Sequence, residues 1–216
     1  MKNPSSILDL FIHIDEYLAI VIQNTGAWSY IILFLVIFME TGFVVTPFLP
    51  GDSLLFAAGA LAATGSFNIL LLYLLLCGAA ILGDTVNYWA GHFVGPKAFN
   101  EKNRLLKKEY LERAQKFYEK HGGKAIVLAR FVPIVRTFAP FVAGIGKMHY
   151  GKFLSFNVFG GILWVSIFLL GGYLFGNIPF VQDNFHIVIA VIVLISLLPI
   201  GIEYVKSKKK SRYKKV

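Results

Sequence analysis

Five ionisable residues, Glu40, Asp52, Asp84, Arg130 and Arg136, stand within or beside long apolar stretches of this 216-residue chain. A charge at membrane depth is expensive, so such residues are functional candidates with partners to be found. Arginine keeps its charge and presents a planar fork, which suits Arg130 and Arg136 to binding a phosphate or carboxylate group. Carboxylates in such surroundings can exchange protons with substrate or solvent, which makes Glu40, Asp52 and Asp84 candidates for proton coupling or gating. The acids lie in the first half of the chain and the arginines in the second. If the halves meet, they neutralise one another when empty, and a substrate anion displaces a carboxylate from an arginine.

Asp52 and Arg136 sit among helix breakers, Pro47, Pro50 and Gly51 in one case and Pro133 and Pro140 in the other. Broken helices at hairpin tips expose backbone groups, and transporters built from inverted repeats place substrate sites there. The ordinary alternative puts Glu40 and Arg130 at the membrane interface. Asp84 and Tyr88 share a helix face with the small-residue stripe Gly83, Asn87, Gly91 and Gly95, where close helix packing is the plainer account. Other chemistry finds no support. His13, His92, His121, His149 and His186 lack metal-ligand spacing, and there is no P-loop, dinucleotide fingerprint or Ser, His and Asp arrangement. No catalytic residue, metal or cofactor is therefore expected. Asp52 and Asp84 as an intramembrane protease dyad would leave the arginines without a role, and a lipid phosphatase would lack its nucleophile and base.

The elements that must position these residues follow from composition. The chain is 56% hydrophobic and 15% charged with mean hydropathy +0.66, against about 25% charged in soluble domains. It reads as an all-α integral membrane protein. The single Cys77 excludes an internal disulfide. The net charge of +9 concentrates in residues 97–124, with nine Lys or Arg against four acids, and 203–216, with seven against one. These segments flank apolar runs and lack the features of a nucleic-acid module, so they read as cytoplasmic by the positive-inside rule. No removable signal peptide is expected.

One membrane domain divides into an amphipathic interfacial helix (5–26), a first hairpin plus helix (27–96), a cytoplasmic amphipathic segment (97–123), a second hairpin plus helix (124–177), a last helix (184–205) and a basic tail (206–216). The arm 53–64 would be only about 18 Å long, short of the roughly 30 Å of hydrocarbon, so it is expected to enter and turn back. At an offset of 85, Phe56, Ala58 and Gly59 fall on Phe141, Ala143 and Gly144, and Tyr88 and Gly91 fall on Tyr173 and Gly176. The expectation is an inverted repeat of two re-entrant hairpins with three to four transmembrane helices and a cytoplasmic C-terminus. Glycine-rich faces on 78–95 and 160–176 suit internal packing or a homo-oligomer.

The run from Glu40 through Pro47 and Pro50 to Asp52, the Gly83-Asp84 to Gly91 segment, the run from Arg130 to Gly144 and the Phe117 to Gly123 segment together resemble the DedA family of bacterial membrane proteins, the DedA subgroup itself (VTT type, also called SNARE-associated). The resemblance implies paired re-entrant hairpins in the bacterial cytoplasmic membrane and a lipid translocase, with functional acids at Glu40 and Asp52 and functional arginines at Arg130 and Arg136. It further implies recycling of undecaprenyl phosphate, with phosphatidylethanolamine translocation or phospholipid scrambling as alternatives, and proton coupling. The expected partners are thus a lipid substrate, protons and the bilayer, with no nucleic acid.

Overall fold

The computed structural model describes residues 26–43, 51–98, 122–176, 178–184, 187–188 and 191–192. The expected interfacial helix 5–26, most of the 97–123 segment, Pro47 and Pro50, and nearly all of the last helix and tail lie outside these residues. Among the described residues the structure is helix and turn, without strands. The helices are α1 (Trp28–Gly42), α2 (Gly51–Ala63), α3 (Ile69–Ala98), α4 (Lys124–Ala129), α5 (Pro133–Ile145), α6 (Tyr150–Val165), α7 (Gly171–Phe175) and α8 (Pro179–Asp183), with a π-helical turn, Ser166–Leu170, joining α6 to α7.

Two stretches are long and apolar enough to cross a membrane, Ile69–Phe93 and Tyr150–Phe175. At 25 and 26 residues they reach about 38 Å. Of the three to four spans expected from sequence, these two lie among the described residues. Helix α1 has only 15 residues, about 22 Å, and α2 and α5 have 13 each. Large apolar side chains such as Leu70, Leu74, Phe93, Phe159 and Leu174 stand exposed, as lipid-facing residues do.

Short connections follow from local chemistry. Between α2 and α3, Gly65 adopts φ +86°, which a side chain would resist. The Ser66 N–H closes onto the Leu61 carbonyl at 3.1 Å, and Asn68 accepts from the Leu71 N–H at 3.1 Å, so the chain stops one helix and starts the next within a few residues. Before α5, Val132 is extended, as a residue preceding proline must be, and Pro133 opens the helix.

Each short arm packs on the long helix of the other half. A Cβ at Gly59 in α2 would strike the Leu169 carbonyl and the Tyr173 amide, and one at Gly172 would strike the Phe56 carbonyl. In the second crossing a Cβ at Gly144 in α5 would strike the Tyr88 carbonyl and the His92 amide, and one at Gly91 would strike the Phe141 carbonyl. The two crossings repeat one contact pattern, backbone against backbone across glycine. The arms obey the offset of 85, but the long helices correspond at 81: Gly91 plays the part of Gly172, not of Gly176. The sequence match of Tyr88 and Gly91 to Tyr173 and Gly176 is therefore one helical turn out of register, because a Tyr-x-x-Gly pattern in an apolar helix fits as well one turn along.

The π-helical turn has a visible use. Trp164 and Gly172 both contact α2, yet eight residues of ideal α-helix would put them about 80° apart. A π turn absorbs one residue, which brings the two to within about 20° of one face. Gly59, Gly91, Gly144 and Gly172 thus serve internal packing. Gly83 meets Thr41 and Phe38 of α1, and Gly160 and Gly161 lie beside Arg130, whereas Gly78 and Gly171 face open space. Substituting Gly59 or Gly144 by Ala is accordingly expected to destabilise the detergent-purified protein by about 1–3 kcal/mol. Gly78→Ala should instead stabilise it by about 0.5–1 kcal/mol, a contrast readable as opposite shifts in thermal melting.

Candidate functional site

The buried stripe of α1 runs Ser29, Leu33, Ile37, Glu40, a helical spacing that carries the Glu40 carboxylate into the core with the leucine and isoleucine. There it meets the start of α2. Glu40 Oε1 accepts the Gly51 N–H at 3.0 Å, so the carboxylate caps a helix N-terminus, where the backbone amides and helix dipole favour negative charge. A Cβ at Gly51 would occupy the carboxylate's place, which explains a glycine there. Asp52 follows in the first turn of the same helix.

Arg136 joins them from α5. Its Nη2 pairs with Glu40 and its Nη1 donates to Asp52 at 2.7 Å, so the fork divides between carboxylates on two elements. Pro140, inside α5, has no N–H to offer the Arg136 carbonyl one turn back. The N-terminal turns of α2 and α5, the two short arms, thus converge on one charge cluster.

Arg130, at the C-terminal cap of α4, is held in a second set. Its Nη2 contacts both Asp84 of α3 and Asn157 of α6. Asn157 in turn donates to the Ile81 carbonyl at 3.0 Å and to Thr85 at 3.3 Å. The Asn87 amide ties α3 to the rest, donating to the carbonyls of Thr41 at 3.2 Å and Thr137 at 2.7 Å.

Glu40, Asp52, Asp84, Arg130 and Arg136 make up the buried charged residues among those described, with Glu40 at 0% and Arg130 at 3% exposure. Glu40 and Arg130 are therefore enclosed by protein, not exposed on its surface. Asp84 faces Arg130, so the small-residue stripe that packs α3 also carries an ion pair. The single meeting point expected from sequence is two pairings, Arg136 with Glu40 and Asp52, and Arg130 with Asp84. Some polar capacity is left over: Glu40 Oε2, Arg136 Nε, and both Nε and Nη1 of Arg130 are buried without hydrogen-bond partners among the described residues. No group of His, Cys, Asp and Glu among them is arranged to hold a metal ion.

Sequence reasoning missed Asn157 and Trp164. Trp164 donates its indole N–H to Asp52 at 2.9 Å, and the Arg136 guanidinium lies 5.1 Å from its ring centroid. The available signal was spacing: Asn157, Gly160, Gly161 and Trp164 fall at helical intervals on one face, an amide and two glycines leading up to the tryptophan.

A helical membrane protein with arginines of one half buried against acids of the other is what these features define. The VTT domain family matches residues 49–174, and the chain belongs to this family, the DedA family of membrane proteins. It is 52% identical over 206 residues to Protein DedA of Escherichia coli (strain K12), covering 94% of each chain. An uncharacterized membrane protein of Mycobacterium tuberculosis (strain ATCC 25618 / H37Rv) is 44% identical over 170 residues, covering 77% of this chain and 74% of that one. Inner membrane protein YqjA of Escherichia coli (strain K12) is 39% identical over 152 residues, covering 69% of each. No solved structure matches.

Proposed function

We propose that this protein is a lipid translocase that carries the phosphate head group of an isoprenoid lipid, undecaprenyl phosphate, across the bacterial cytoplasmic membrane, and that it is not an enzyme. The observation that carries this reading is Arg136 shared by two buried carboxylates from the other half of the chain. An incoming phosphate offers the same oxygens and can replace Asp52 or Glu40 on the fork. Arg130, with two guanidinium nitrogens unpartnered among the described residues, gives the phosphate a second cation, and the N-terminal turns of α2 and α5 add favourable backbone dipoles. The polyprenyl tail stays in lipid beside the exposed apolar faces of the long helices.

In this reading α2 and α5 are re-entrant arms of an inverted repeat, the chain is multi-pass, and the basic C-terminus is cytoplasmic. Three acids face two arginines, so the fully ionised cluster is one negative charge in excess. Uptake of one proton on Glu40 closes that balance and leaves Arg136 held by one charged carboxylate instead of two, which the substrate phosphate can then replace. The partners are then the lipid, protons and the bilayer, without nucleic acid, and a homo-oligomer is compatible with the open glycines at 78 and 171.

Purified protein in liposomes should move undecaprenyl phosphate in preference to phosphatidylethanolamine, faster with an imposed pH gradient. Glu40→Gln, which removes the excess negative charge, should lose that gradient dependence. Equal movement of both lipids, gradient or none, would mark a scramblase and overturn the proposal.

A further inference from the structure

Trp164 has no part in the scheme so far, yet it is 1% exposed and touches both members of one ion pair. Its N–H donates to Asp52 Oδ1, the same oxygen that accepts from Arg136 Nη1, while its ring face lies against the guanidinium. Indole has a single donor, and burying it unpaired is unfavourable, so the bond fixes Asp52 as much as it satisfies the ring. The contact with Arg136 depends on the ring face alone. Three elements of different sequence origin, α2, α5 and α6, are thereby joined at one side chain.

The two contacts act differently when an anion arrives. A phosphate that takes Arg136 must displace Asp52, and the indole N–H opposes that displacement. The ring face holds the guanidinium in place whether its partner is Asp52 or phosphate. Resting on the lipid-phosphate reading above, we propose that Trp164 is a positioning residue that sets substrate affinity, its N–H holding Asp52 on Arg136 against the incoming phosphate and its ring holding Arg136 ready for it.

The consequence is a pair of substitutions that separates the two contacts. Trp164→Phe keeps a ring face and loses the donor, so phosphate displaces Asp52 more easily. Trp164→Leu loses both. In liposomes with graded undecaprenyl phosphate, Trp164→Phe is expected to lower the apparent KM about tenfold, the worth of a hydrogen bond to a charged group, and Trp164→Leu, which loses the ring face as well, to give a KM several-fold above that of Trp164→Phe. A residue that only filled space would weaken binding in both variants. An unchanged or raised KM in Trp164→Phe overturns the proposal.

A second measurement needs no transport. With Trp28→Phe and Trp89→Phe, Trp164 becomes the sole tryptophan of the three, and its emission reports the pair directly. Arg136→Gln, which removes the cation from the ring, and Asp52→Asn, which removes the charged acceptor, should each shift its emission. If neither does so, the latch is not there, whatever the lipid results. If both do so while the wild-type protein moves no phosphate lipid, the latch stands and the translocase reading fails.

Discussion

Arg136→Lys is expected to lower lipid-phosphate transport at least tenfold while leaving the protein folded in detergent. The guanidinium engages Glu40 through one terminal nitrogen and Asp52 through the other, and it lies over the Trp164 ring. Lysine preserves the charge, so no buried carboxylate is left without a countercharge. It offers only one nitrogen, at a shorter overall reach, and has no planar face to rest on the indole. A single lost hydrogen bond to a charged group costs about 1.5–3 kcal/mol, and a tenfold change corresponds to about 1.4 kcal/mol. Initial rates in liposomes, beside size-exclusion profiles, separate the two effects. Wild-type rates would mean that charge alone suffices and that the fork has no role in recognition.

The second large effect concerns Asp84 and Arg130. Removing one partner of a buried ion pair typically costs about 3–5 kcal/mol, because the other charge is left uncompensated. Asp84→Leu should therefore yield little folded protein, since Asn157 is a neutral amide and cannot balance Arg130. Combining it with Arg130→Leu removes the stranded charge, and the double variant should regain most of the lost thermal stability. Transport should not return, because the phosphate would have lost its second cation. If the double variant both folds and transports, Arg130 and Asp84 hold the structure and nothing more.

The sequence made the five charged residues legible because charge within apolar runs is rare and needs a reason. Their residue types further showed that acids and arginines should meet. Which acid meets which arginine was not legible, since that depends on how the halves interlock: Arg130 precedes Arg136 by less than two turns, yet the two side chains leave for different helices. Trp164 was hidden for another reason. A tryptophan in an uncharged run reads as one more apolar residue, and its donor matters only because the π-helical turn lets the Asp52 and Gly172 contacts share a face. Asn157 was hidden likewise, as a lone amide that a membrane helix tolerates. The repeat was visible in the arms, where Phe56 and Gly59 recur as Phe141 and Gly144, but its register in the long helices was set by backbone contact rather than by recurring letters.

The interlocked crossings also govern how the molecule can be made. Asp52 and its partner Arg136 are 84 residues apart, about 4 to 17 s of synthesis at ordinary ribosomal rates. Throughout that interval α2 has neither the glycine face of α7 to lie on nor a countercharge for its first turn. Nor can the first half complete a site by itself, because its own long helix receives the arm of the second half. The first arm thus gains its countercharge at residue 136 and its seat only with Leu169 to Tyr173 of the second long helix. A nascent chain that ends before residue 136 carries Glu40 and Asp52 without the arginine that pairs with them in the finished molecule.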